Sequence, residues 1–270
     1  MGTCRSVVQI VVDPGDAELA ADALWQAEPS AVATIDLPDG RVRLVADVTD
    51  PDRIPGSWEV EAVEIDSDDY LDAWRSWAQP VLVGDAVVLQ PAWLPLGDVP
   101  PGATVVRLDP GRTFGSGSHP STRLAIELLL PDAGRSPRVL DIGSGSGVLT
   151  VAALLLGAGD VEAIDVDPAA AIATDVNARL NGVGDRVRSS TTPLLDVGGR
   201  FDLVLANIGA GVLIDLATAV LRRVTPSGRV VLSGILDEQV DDVLGAYGGW
   251  TEARRVSADG WTALLLERRR

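Results

Sequence analysis

The stretch from Arg138 to Asp165 constrains this chain more than any other. An apolar run, Arg138-Val139-Leu140-Asp141-Ile142, leads into Gly143-Ser144-Gly145-Ser146-Gly147. The apolar Val148 to Leu156 follows, and then Val161-Glu162-Ala163-Ile164-Asp165. The periodicity predicts a buried strand, a glycine turn, a helix, and a second strand that ends in a carboxylate. Glycines let a backbone turn sharply and approach a ligand closely, and the helix behind them opens with unpaired N–H groups and a partial positive charge. A carboxylate about 20 residues further on, at the tip of the next strand, is placed to accept both hydroxyls of a ribose. The stretch therefore points to a nucleoside-containing ligand held by Gly143, Gly145 and Asp165.

The chain after Pro137 keeps alternating strand and helix. Strands are expected near 138–142, 160–165, 186–190, 201–206 and 228–233, with helices near 146–156, 168–181, 210–223 and 237–247. Such alternation means an α/β domain with a parallel, doubly wound sheet. Trp250 to Val256 and Trp261 to Glu267 meet at Ser257-Ala258-Asp259-Gly260 and read as an antiparallel hairpin that finishes the sheet. Asn207 falls at the carboxyl end of the fourth strand, where such sheets present ligands. Its amide can accept from a substrate amine, or it can cap the helix after it.

Upstream, Ser6 to Val12 reads as a strand. A helix then runs from Pro14-Gly15-Asp16 to about Ala27, with Leu19, Ala20, Ala23 and Leu24 on one face. Strands over 31–36, 41–48 and 58–65 complete a small α+β domain of truncated ferredoxin-like pattern, because 49–57 is too short and proline-rich for a second helix. The expected organisation is a small domain over 1–66, a linker helix and connecting segment over 67–100, and the main domain over 101–270. The linker helix carries Tyr70, Leu71, Trp74 and Trp77 at helical spacing, Pro80 stops it, and Val81 to Leu89 reads as one strand. Between a strand at Val105 to Leu108 and a helix from about Ser121 lies a loop rich in glycine, serine and threonine, a second place where backbone and hydroxyl donors meet a ligand.

Composition removes several classes of function. The net charge of −17 argues against a nucleic-acid substrate. With one cysteine, Cys4, and one histidine, His119, neither a disulfide framework nor a Cys/His zinc site is expected. No apolar run approaches the roughly 20 residues that cross a bilayer, and the N-terminus does not read as a signal peptide, so a cytoplasmic protein is the expectation. All 22 basic residues are arginines, so no lysine is available as a general base. Residues 1–66 carry 14 acids against four arginines.

The spacing Asp141-x-Gly143-x-Gly145-x-Gly147 differs from the G-x-G-x-x-G of dinucleotide enzymes and resembles that of class I S-adenosylmethionine-dependent methyltransferases. Three further pieces resemble the ribosomal protein L11 methyltransferase family over about residues 68–267. They are Asp109-Pro110-Gly111-Arg112-Thr113-Phe114-Gly115-Ser116-Gly117-Ser118-His119-Pro120-Ser121-Thr122, Ala206-Asn207-Ile208-Gly209-Ala210-Gly211, and Leu232-Ser233-Gly234-Ile235-Leu236. The linker Asp72-Ala73-Trp74-Arg75-Ser76-Trp77 is similar to that family's tryptophan-bearing linker.

The resemblance implies S-adenosyl-L-methionine as cofactor, a small N-terminal substrate-recognition domain, and methylation of amino groups of L11. It places cofactor contacts at Thr122, Gly143, Asp165 and Asn207, with Gly145 and Phe114 in the same motifs. Asn207 is then the candidate for orienting the amine. His119 is either a general base or a residue that fixes the loop by hydrogen bonding, and Asp109 and Asp141 are organisers of loop and turn, with contact to the cofactor open to both. A methyltransferase for another protein lysine or a small amine, or a non-catalytic cofactor-binding module, would keep the same motifs.

Overall fold

The central strands carry apolar residues on both faces, and the fold follows from covering both. In the computed structural model, residues 4–27, 32–37, 39–46, 48, 50–56, 58–66, 78–109, 117 and 119–269 are described. Phe114, Tyr70, Leu71, Trp74 and Trp77 lie outside them. The chain divides into two units, Met1–Ala78 and Gln79–Arg270.

In the first unit, β1 (Cys4–Val12), α1 (Ala17–Gln26), β2 (Val32–Asp36), β3 (Val42–Ala46) and β4 (Val60–Asp66) form an antiparallel sheet of order β2-β3-β1-β4. This is the strand order of a ferredoxin-like domain. A single turn of 3₁₀ helix, Pro51–Arg53, stands where a second helix would, capped by Asp50, whose side chain accepts from the Asp52 N–H. Val8, Ile10, Leu44 and Ala46 on the sheet pack against Ala20, Ala23, Leu24 and Ala27, and Val48 and Ile54 fill in from the short connection. Leu19, expected on the buried face, is 62% exposed. Pro14–Asp16 form a 3₁₀ turn before α1 begins at Ala17, so the helical register starts later than the sequence suggested and the inward face is set by contact with β1 and β3.

The second unit opens with a three-stranded sheet of order β5-β6-β7: β5 (Val81–Val83), β6 (Val87–Pro91) and β7 (Thr104–Leu108). The expected single strand over 81–89 is a hairpin instead. Gly84 takes φ +54°, and the chain reverses over 84–86 so that Val81 pairs with Leu89.

The core follows as α2 (Pro120–Leu129), β8 (Arg138–Ile142), α3 (Val148–Leu155), β9 (Asp160–Ile164), α4 (Pro168–Leu180), β10 (Val187–Ser190), β11 (Phe201–Asn207), α5 (Ala210–Arg222), β12 (Val224–Leu236), α6 (Val240–Ala246), β13 (Trp250–Ala258) and β14 (Trp261–Arg268). The sheet order is β10-β9-β8-β11-β12-β14-β13, with β14 antiparallel to both β12 and β13.

Successive residues of each strand enter opposite cores. Val139, Leu203, Leu205 and Val231 pack with α2 and α3, while Leu140, Val204, Ala206, Val230 and Leu232 pack with α5 and α6. Each such Val or Leu side chain contributes roughly 1.5–3 kcal/mol of burial free energy, which fixes the strand register. The register in turn lines up the carboxyl ends of β8, β9, β11 and β12 along one edge of the sheet.

Candidate active site

Four strand ends and the start of α2 supply the site. At the end of β8, Gly143 takes φ +72°, and Gly145 and Gly147 take +54° and +79°. A Cβ on Gly143 would lie 2.4 Å from Ile208 Cγ2, so the turn is closed against the segment after β11. The Gly145 N–H donates to Asp165 Oδ2 at 2.9 Å, and the Asp167 N–H to Asp165 Oδ1 at 3.0 Å. Each carboxylate oxygen retains a second lone pair. Val166, beside Asp165, is 96% exposed and gives the strand end an apolar flank.

Asp141 lies beneath the turn and is buried. Thr150 Oγ1 donates to its Oδ2 at 2.6 Å, while its Oδ1 has no hydrogen-bond partner among the described residues. Burial pushes its pKa up to about 6, the Thr150 bond opposes this, and the nearby Asp165 charge adds to it. A buried carboxylate oxygen left unpaired in the protein suits a cationic partner.

Asn207 ends β11 and is half-buried. It does not cap the following helix, whose N-cap residue is Gly209. Its Nδ2 instead donates to Thr122 Oγ1 at 3.3 Å, which leaves Oδ1 as the acceptor end of the amide. Thr122 is held in turn because the preceding carbonyl, that of Ser121, accepts from Ser233 Oγ of β12 at 2.8 Å.

His119 is the N-cap of α2. Its Nδ1 accepts from the Ser121 N–H at 3.2 Å and lies 2.7 Å from Ser121 Oγ, an arrangement that places the ring proton on Nε2. The ring is buried and meets Trp261 edge to face at a centroid distance of 4.6 Å. Burial, helped by the Arg123 charge, lowers its pKa to about 4.

Thr122, Gly143, Gly145, Asp165 and Asn207 thus come from different elements to one edge of the sheet. Sequence reasoning missed Val166 and Thr150, and it held Ile208 and Ser233 only as members of the family motifs, without a contact. Val166 was legible as an apolar residue in a turn directly after the strand-end acid. The others become visible only through contacts across the fold.

The geometry suits the parts of S-adenosylmethionine. The two carboxylate oxygens of Asp165 match a ribose diol, Val166 matches an apolar base, and the unpaired Asp141 oxygen matches an ammonium. The turn itself, Gly143 to Gly147, contains no basic residue. The sheet order and these strand-end residues define a class I methyltransferase fold.

Comparison with known proteins agrees. The description "Ribosomal protein L11 methyltransferase (PrmA)" matches residues 9–269, and the chain belongs to that family. It is 44% identical over 203 residues to the ribosomal protein L11 methyltransferase of Geobacter sulfurreducens, covering 74% of this chain and 67% of that one. The corresponding protein of Geotalea daltonii is 40% identical over 220 residues, covering 76% and 70%. A crystal structure of a ribosomal protein L11 methylase from Lactobacillus delbrueckii subsp. bulgaricus aligns with TM-score 0.66 and 33% identity, over 72% of this chain and all of that one.

Proposed function

We propose that this protein transfers methyl groups from S-adenosyl-L-methionine to amino groups of ribosomal protein L11. The observation that carries the reading is the fixed amide of Asn207, with its NH₂ committed to Thr122 and its carbonyl oxygen left to accept.

When bound, the cofactor supplies a methyl group on a sulfonium. The protein's part is alignment and exclusion of water. An incoming lysine or N-terminal ammonium must first lose a proton, which passes to solvent, and a desolvated site favours the neutral amine. Oδ1 of Asn207 accepts one amine N–H and so turns the nitrogen lone pair toward the transferred methyl. Gly143 and Gly145 allow close backbone approach, Asp165 holds the ribose, and Asp141 Oδ1 takes the ammonium of the amino-acid part. Phe114 follows from the family motif alone.

His119 serves as the cap of α2 rather than as the base. Its Nδ1 is engaged by Ser121, and a ring with pKa about 4 is a weak proton acceptor. Residues 1–66 are the recognition domain for the protein substrate.

The test is methyl transfer to purified L11 with labelled cofactor. Wild type should label L11, and Asn207→Ala should lower kcat about 100-fold. Label entering another protein or a small amine, with none in L11, would replace the acceptor in this reading. Cofactor binding with no transfer to any protein would leave a binding module.

A further inference from the structure

Asn177 in helix α4 and Asn181, the residue that caps its C-terminus, stand one turn apart, and neither has a part in the methyl-transfer reading. Strand β7 is the edge of its sheet. The even-numbered residues face β6, as shown by the Thr104 N–H donating to Ala86 and the Leu108 carbonyl accepting from Ala92. The N–H and C=O groups of Arg107 and Asp109 therefore face the open edge.

The two asparagines complete that edge. Asn181 Oδ1 accepts from the Arg107 N–H at 2.9 Å, and its Nδ2 donates to the Arg107 carbonyl at 2.7 Å. Asn177 Oδ1 accepts from the Asp109 N–H at 2.9 Å, and its Nδ2 donates to the Asp109 carbonyl at 3.0 Å. A carboxamide offers the same donor and acceptor as a peptide unit. Four helical residues advance about 6 Å, close to the roughly 6.6 Å between alternate residues of a strand.

Asn177 does one thing more. It is fully buried, and its Nδ2 also donates to the Ser146 carbonyl at 2.9 Å. Thr174, three residues earlier on α4, places Oγ1 3.3 Å from the Gly145 carbonyl and 3.0 Å from Ser144 Oγ. The carbonyls of the glycine turn are thus drawn toward α4. Because peptide units are planar and trans, the N–H on the far side of the Gly145 carbonyl, that of Ser146, points away from α4.

We propose that Asn177 is a positioning residue that locks the glycine turn to the open edge of β7 and thereby holds the turn in its cofactor-binding orientation, whereas Asn181 pins the strand alone. The proposal rests on the reading of the turn as the S-adenosylmethionine site. An aspartate at 177 would set carboxylate oxygens against the Asp109 and Ser146 carbonyls, and a serine would fall short of both.

The test compares Asn177→Asp, Asn177→Ser and Asn181→Asp. S-adenosylhomocysteine affinity is measured by calorimetry, and Tm is recorded for each. Both 177 variants should raise Kd at least tenfold, and Asn181→Asp should stay within twofold at a similar loss of Tm. The uncharged serine variant carries the comparison if the aspartate variant does not fold. Wild-type affinity in a folded 177 variant, or an equal loss in Asn181→Asp, would overturn the proposal.

If wild type itself fails to bind the probe, the functional reading falls, and hydrogen exchange then tests the lock. Residues 145–147 and 107–109 should exchange faster together in Asn177→Ser, and only 107–109 in Asn181→Asp. Independent release of the two segments would overturn the lock.

Discussion

Burial disfavours charge of either sign, so His119 and Asp141 pull stability in opposite directions as pH changes. His119 has a pKa of about 4 in the fold against 6.5 for the free side chain, so between these values the unfolded chain binds more protons. Its contribution is complete above pH 6.5 and is lost as pH falls toward 4. Asp141 has a pKa of about 6 against 3.8, so its neutral form stabilises the fold at low pH and that contribution is lost as pH rises through 6. The His119 part is isolated by substitution. At about 1.4 kcal/mol per pKa unit, the stability advantage of wild type over His119→Gln should shrink by about 3 kcal/mol between pH 7 and pH 4. Urea unfolding of the two proteins at several pH values measures this, and a pH-independent difference would refute it. His119 was legible in the sequence as a singular residue, but its task was not. The Ser121 cap is local, whereas the Trp261 contact that helps bury the ring comes from the terminal hairpin.

At the scale of elements, the glycine turn works because of what it packs against as well as its dihedral freedom. A Cβ on Gly147 would lie 2.8 Å from the Thr174 Cα, in the backbone of α4, whereas a Cβ on Gly182 would meet nothing within 4 Å. Both residues have positive φ, +79° and +70°. Gly182→Ala should therefore cost about 1 kcal/mol, from backbone strain alone. Gly147→Ala adds a clash that only movement of α4 relieves, and should cost roughly 3 kcal/mol or more and weaken cofactor binding as well. Denaturant unfolding that gave equal losses would show that the turn is not wedged against α4. The turn was legible because its signal lies within five consecutive residues. The hairpin over 81–91 and the start of α1 were misjudged because a 3₁₀ turn and a tight reversal each break a short apolar pattern that looks continuous.

At the scale of the whole molecule, charge is unevenly spread. The net charge is −17, and 14 acids against four arginines fall in residues 1–66. If this field steers a basic protein substrate, the association rate should fall on the order of tenfold as salt is raised from low to several hundred millimolar. Stopped-flow binding of L11 measures it, and a flat response would remove steering from the account. The sequence by itself determined the elements and their period, the glycine turn, the strand-end carboxylate of Asp165 and the family motifs. These are local patterns, and two-faced apolar strands leave little choice but a doubly wound sheet. Only the tertiary structure decided the partners: Asn207 with Thr122, 85 residues away, and Asn177 with Asp109, 68 residues away. Such hydrogen bonds carry no periodic signature, because a polar side chain records its own donors and acceptors but not the distant backbone that satisfies them. The Arg138–Asp165 stretch thus specified the glycine turn and its strand-end carboxylate, and the fold supplied the contacts that hold the turn in place.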